Sequence, residues 1–280
     1  MAARVIFLTR PPAPPLDAAI ASIWYVHSPP RPLTLERVLP KGAAQLVVNL
    51  KEDATRVYDA HDGCCRISPG AVLTGPCTSF EIIDTDEREH VVGVSFHPGG
   101  TRPLFRMPAH ELSGGDIALE ALWRVADAAR LRLQLLEAPT PQAALDVLEQ
   151  TLLAAWRDQP VHRAVGAALA ALRRAPQVAR VGVVAERLGL SSRRFIEAFS
   201  ADVGLTPKQY CRVQRFQRAL TAAYTAQEVD WADVAVACGY YDQAHFIHDF
   251  RAFSGITPGG YRAGRTTFQN HVTFLQSPPG

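Results

Sequence analysis

The amino-acid sequence predicts an α+β chain of two unlike parts: a small β-barrel or sandwich first, then an all-α region with a duplicated helix pair. Three observations predict this. Short β-branched and aromatic runs with turn residues between them fill the segment from Ile20 to Phe96. After Gly115 the apolar period lengthens to that of a helix. Beyond Pro160 the chain repeats itself at a spacing of 50 to 51 residues. A length of 280 residues suits two domains better than one.

Taken in order, Arg10–Leu16 is proline-rich and is expected to be extended. Strands are expected at Ala44–Leu50, Thr55–Tyr58, Arg66–Ile67, Ala71–Leu73, Phe80–Ile83 and His90–Phe96. They are punctuated at Pro40–Gly42, His61–Gly63, Pro69–Gly70 and Pro98–Gly100. Ile117, Leu119, Leu122, Trp123, Val125, Ala126, Ala129, Leu133 and Leu136 suit one helix. Leu145, Leu148, Leu152 and Trp156 suit a second, beyond Pro139–Pro141. Their apolar stripes either pack on the strand domain or form a homodimer. The expected divisions are 1–112 (β-domain), 113–158 (helical linker), 159–265 (duplicated helical domain) and 266–280 (tail). The tail carries no Asp, Glu, Lys or Arg. Val272, Phe274 and Leu275 suit an added strand, with disorder the equal alternative.

Composition narrows the function classes. The net charge of +2 hides an asymmetry: residues 1–159 hold 15 basic and 19 acidic side chains, residues 160–280 hold 14 and 8. The excess of cations, mostly arginine, in the second part points to a polyanionic partner. No apolar run is long enough to cross a bilayer, and the first residues lack the pattern of a signal peptide, so a cytoplasmic protein with no membrane partner is expected. Five cysteines form no disulfide or zinc framework. His27, His61, His90, His97 and His110 include no HxH pair, and neither a nucleophile elbow nor a phosphate-cradling loop is present. An enzyme is not expected, nor a cofactor or metal. Cys64 and Cys65 follow a hairpin tip at Asp62–Gly63, so one is expected to face inward and the other outward. They are either small half-buried residues or, with Cys77 or His61, a thiol sensor of oxidant or soft metal.

The repeat is the strongest signal. Val181, Val184, Ala185 and Leu188 stand at i, i+3, i+4, i+7 before Gly189. Fifty residues later Trp231, Val234, Ala235 and Cys238 do the same before Gly239. Phe195 and Phe199 then answer to Phe246 and Phe250 at 51, so the second turn carries one extra residue. Gly204, Thr206–Pro207 and Tyr210 answer to Gly255, Thr257–Pro258 and Tyr261. Ser191 and Asp242 sit where N-caps of the second helices belong. Each unit reads as a helix-turn-helix, and Thr206 to about Tyr224 can form a helix joining the two.

On these residues the last part, about 100 residues, resembles the AraC/XylS family of transcription regulators. The match runs over Val181–Phe199 and Val234–Tyr261. Upstream, Trp24, Glu36–Leu50 and Gly93–Gly100 resemble the N-terminal domain of one subgroup, which implies a cupin-like sensory domain with an unspecified small effector. The resemblance implies that both second helices enter successive major grooves of double-stranded DNA, with RNA polymerase as a further partner. The positions implied to meet DNA are Ser192, Arg193, Arg194, Ile196 and Glu197 in the first unit. In the second they are Gln243, Ala244, His245 and His248. Arg193 suits guanine, Gln243 suits adenine, and Glu197 accepts from cytosine but repels phosphate. Arg212, Arg215, Arg218 and Arg251 are either phosphate clamps or a solvated basic face. An interaction protein with weakened DNA binding is the alternative that Glu197 keeps open.

Overall fold

The computed structural model describes residues 5–29, 34–60, 62–85, 89–159, 161–174, 181–187 and 189–274. His61, Leu188 and Leu275, and the side chains of Val181 and Val184, lie outside the described residues.

In chain order the first part contains β1 (Ile6–Arg10), β2 (Ile20–His27), β3 (Leu35–Val38), β4 (Gln45–Asn49), β5 (Ala54–Tyr58), β6 (Cys65–Pro69), β7 (Ala71–Thr74), β8 (Glu81–Asp84), β9 (His90–Phe96) and β10 (Asp116–Ala118). With β11 (His271–Phe274) from the end of the chain these make two sheets, β1-β2-β9-β4-β7-β10 and β11-β3-β8-β5-β6, with every neighbouring pair antiparallel. Among the described residues no strand belongs to both sheets, so the domain is an open sandwich and not a closed barrel. Alternation along β2 shows why both faces of the first sheet are covered. Ile23 and Tyr25 point to the helices, while Trp24 and Val26 point to the second sheet.

Three helices cover the outer face: α1 (Leu119–Leu122), α2 (Val125–Glu137) and α3 (Pro141–Ala155). The continuous helix expected from Ile117 to Leu136 is not formed. Asp116–Ala118 pairs with β7, and the helix breaks at Trp123. The Trp123 indole N–H donates to the Leu104 carbonyl at 3.3 Å and the ring stacks on Phe105, which pins the break and sets the rotation of α2. As a result Ala128, Leu131 and Leu135 are buried, and the expected stripe of Val125, Leu133 and Leu136 faces outward at 63%, 59% and 43% exposure. In α3 the expected Leu145, Leu148 and Leu152 are buried.

The C-terminal part contains α4 (Arg163–Arg174), α5 (Val181–Arg187), α6 (Ser192–Val203), α7 (Pro207–Thr225), α8 (Trp231–Ala237), α9 (Gln243–Ser254), α10 (Pro258–Gly264) and β11 (His271–Phe274). The 19-residue α7 is the central post. Thr206 and Gln209 close a reciprocal capping box at its start, and Pro207 occupies a first-turn position where its missing N–H costs nothing. Val213, Phe216, Leu220 and Ala223 of α7 are buried with Phe195, Phe199, Phe246, Phe250, Phe253 and Tyr261 in one core. Burying each such ring contributes about 1.5–3 kcal/mol, so this aromatic set dominates the domain's stability.

The two parts are joined at several places. Leu39 leaves β3 and ends inside the helical core. Gln217 of α7 donates to the Pro40 carbonyl at 2.7 Å. The chain then returns: β11 pairs with β3, Val272 is buried, and Leu39 and Asn270 exchange hydrogen bonds. The tail is thus an added strand on the second sheet. A third joint is the loop from Gly75 to Phe80. Pro76 presses on Gly204 at the end of α6, and Phe80 presses on Gly255 at the end of α9.

Candidate nucleic-acid interface

Both units are built by the same local rules. The turn after α5 closes with Gly189 N–H to Glu186 O and Leu190 N–H to Ala185 O. After α8 the same pair of bonds runs from Gly239 to Val236 and from Tyr240 to Ala235. Gly189 and Gly239 both hold positive φ, which lets each chain reverse so tightly. Ser191 then caps α6 through the Arg194 N–H, and Asp242 caps α9 through the His245 N–H. Each helix ends on a glycine in the left-handed region.

The phenylalanine stripes set which face is left outside. With Phe195, Phe199 and Val203 buried, Ser192, Arg193, Arg194, Ile196 and Glu197 of α6 are exposed. Phe246, Phe250 and Phe253 are buried in α9, leaving Gln243, Ala244, His248 and Arg251 exposed and His245 half-buried, edge-on to Tyr240. Arg193 donates to Glu197 at 2.9 Å across one helical turn. Both are well exposed, so this pair is worth little and opens readily.

The α7 arginines stand apart from this exposed set. Arg212 forks onto Asp249, a carboxylate only 4% exposed, at 2.7 and 3.4 Å, and lies over the Phe253 ring. Arg215 donates to the Gly239 carbonyl and stacks on Tyr240. Arg218 donates to the Arg173 carbonyl. These side chains tie the second unit and α4 to the central helix.

One exposed residue was not singled out from the sequence. Tyr241 is 91% exposed and immediately precedes the cap of α9. The turn bonds repeat at 50 residues and the caps at 51, so Tyr241 is the extra residue of the second turn. That one-residue shift in spacing was the available signal.

The cysteines do not follow the alternation expected of them. Cys64 lies in the turn before β6, an edge strand, and both Cys64 and Cys65 are exposed. Neither faces the sandwich interior. Burial pushes the Cys77 thiol up to about 12, which makes it a poor nucleophile.

Between the sheets lies a cavity of about 260 Å³. Trp24, Val47 and Val91 give it an apolar wall, and Gly93 leaves room for the indole of Trp24, which a Cβ would strike at 2.4 Å. Polar groups enter as the Gln45–Ser95 hydrogen bond and the Glu36–His271 pair at 3.0 Å. Phe268 and His271 bring the C-terminal tail into the wall.

Residues 184–264 match a family model described as a helix-turn-helix domain, and residues 8–118 match one described as a domain of unknown function (DUF6597). An uncharacterized HTH-type transcriptional regulator of Haemophilus influenzae is 26% identical over 117 residues, 42% of this chain and 38% of that protein. The chain therefore spans well under half the length of that curated relative. The DNA-binding domain of AdpA, solved in complex with a target DNA, is 25% identical over 36% of this chain and 92% of its own, with a TM-score of 0.34. ToxT from Vibrio cholerae aligns over 92% of this chain and 98% of its own at 10% identity and a TM-score of 0.48.

Proposed function

From a chain that carries an AraC-type double helix-turn-helix domain in its C-terminal third, we propose a sequence-specific DNA-binding transcription regulator governed by a small effector. The observation that carries this reading is the duplicated exposed face. Two helices, each capped by Ser or Asp and anchored by phenylalanines, offer their first turns and outer sides to solvent. That is the geometry a major groove accepts.

Gln243 reads adenine, Arg193 reads guanine once released from Glu197, and His245 and His248 donate to base edges. Arg194 and Arg251 meet phosphate, and Tyr241 packs on the backbone beside them. Arg212 and Arg215 act indirectly by holding the second unit on α7, and Arg218 by holding α4 there. RNA polymerase is the partner through which a DNA-bound regulator acts, and the outward stripe of α2 with Leu153 of α3 suits a second copy of the chain. The effector occupies the inter-sheet cavity, which approaches the size of small-ligand sites and is lined in part by the C-terminal tail. Among the described residues no helix is long and apolar enough to cross a membrane; the cytoplasm is the compartment this proposed DNA-binding role calls for.

The test is selection of duplexes from a random library by the full chain, with binding then titrated against salt. A recovered motif is expected, with affinity falling steeply as salt rises. Gln243→Ala is expected to relax one position of the motif by about 1–3 kcal/mol. Failure to enrich any sequence at low salt defeats the proposal.

A further inference from the structure

A second and larger cavity, about 690 Å³, opens between residues 102–106 and helices α1 to α3. Its apolar wall is half-exposed at Leu122, Trp123 and Val147, while Leu104, Leu131 and Phe105 are buried, Phe105 stacked on Trp123 at 5.9 Å and 19°. Around it stand Arg102, Arg106, Arg124, Arg130 and Arg157, against a single carboxylate, Asp127. Arg102 pairs with Asp202, and Arg157 donates to the Ala154 and Trp156 carbonyls. Arg106, Arg124 and Arg130 have no hydrogen-bonded or ionic partner among the described residues.

Five guanidiniums around one apolar hollow repel each other, and packing alone gives no reason to gather them. A planar guanidinium fork matches a carboxylate bidentately, and a half-exposed indole matches a flat apolar body. We propose that this cavity binds a small organic acid, its carboxylate held by Arg106 and Arg130 and its flat apolar body laid against Trp123, and that Arg102 transmits its presence to α6. The site lies on the outer, helix-covered side of the first sheet, away from the inter-sheet cavity.

Arg102 is shared between this cavity and the helical domain. Its Nη1 donates to Asp202, which sits in the last turn of α6 at 1% exposure and also accepts the His162 N–H at 2.8 Å. The rest of the guanidinium edge is free to meet an anion, so a bound acid and the end of α6 are held by one side chain. This transmission rests on the DNA-binding reading, whereas occupation of the cavity does not.

The experiment uses 1-naphthoate as the probe, with 1-naphthalenemethanol as the neutral analogue of the same shape, titrated calorimetrically into the full chain. Saturable one-to-one binding at least about tenfold tighter than the alcohol is expected, since a hydrogen-bonded charge contributes about 1.5–3 kcal/mol. Arg106→Gln/Arg130→Gln, two exposed positions whose folding is checked by thermal melting, is expected to lose that tenfold. Equal binding of acid and alcohol, or an unchanged Kd in the folded double variant, overturns the site. DNA affinity is then measured with and without saturating 1-naphthoate. A shift in the native chain that disappears in Arg102→Gln supports the route, and no shift in the native chain overturns it. Calorimetry needs no DNA, so loss of DNA binding altogether defeats the regulator reading without touching the site.

Discussion

Replacing Gly255 by alanine measures how firmly the β-domain grips the end of α9, because the chain contains its own control. Gly189 and Gly255 hold nearly the same backbone angle, φ +68° and +69°. At Gly189 an added Cβ meets nothing within 4 Å, so Gly189→Ala costs only the left-handed conformation, about 1–2 kcal/mol. At Gly255 the same Cβ would stand 2.5 and 2.7 Å from two carbons of the Phe80 ring, a separation real atoms do not tolerate. Crowding of this kind adds about 1–3 kcal/mol, so Gly255→Ala is expected to cost about 2–5 kcal/mol. Urea denaturation of the full chain measures both. The decisive comparison repeats Gly255→Ala in a Phe80→Ala background, where its cost is expected to fall to that of Gly189→Ala. An identical loss in both backgrounds would mean that Phe80 does not bear on the cap, and the joint described above would be wrong.

Arg212→Ala is expected to destabilise the second unit by on the order of 2 kcal/mol, because it strands the buried Asp249. The figure is below that for a fully buried pair since Arg212 is about one-third exposed; denaturation reads it, and unchanged stability with a reduced salt slope of DNA binding would make Arg212 a phosphate clamp instead. Truncation after Arg265 removes buried Val272 and the partners of the Leu39 backbone, and should cost at least about 3 kcal/mol by thermal melting; an unaltered melt would show that β11 does not hold the sheet. Burial disfavours the charged imidazolium of His90 and His97 and lowers the pKa of both in the folded chain. The unfolded chain takes up these protons first, so the stability linked to them is present above the unfolded value of about 6.5 and lost as pH falls from there through the lowered folded pKa. His90→Gln/His97→Gln should flatten urea midpoints between pH 7.5 and 5.5, and an equally steep acid loss in that variant would assign it to other groups.

The legible parts of the chain are those where local chemistry decides. β4 to β9 lie close to where their β-branched runs and flanking Pro, Gly and Asp place them, because alternation and turn residues act over a few positions. β1 was hidden because Ile6, Phe7 and Leu8 are all exposed and show no alternation. The rotation of α2 was misread because apolar residues occupy two of its faces, and Trp123, anchored on the distant Leu104 and Phe105, chooses between them. At the interface, the outward faces of α6 and α9 followed from their phenylalanines. The partner of Arg212 did not, since Asp249 is 37 residues away on another helix. Gly204 and Gly255 read correctly as helix stops, yet nothing near them in the sequence shows that Pro76 and Phe80 lean on them.

That loop from Gly75 to Phe80 has a further consequence for how the chain can change. Two helix ends 51 residues apart in sequence rest on six residues of one connection. Most surface loops absorb an added or lost residue cheaply. Here a single insertion would separate Pro76 from Phe80 and reset the seat of one helix against the other. Among the described residues, the connection between β5 and β6 carries no such double contact with the helical domain and is free to lengthen. Scanning single-residue insertions through both loops should therefore divide them sharply: variation between β5 and β6 stays silent, while variation in residues 75–80 destabilises the chain and, on the proposed DNA-binding reading, alters the spacing of the sites it selects.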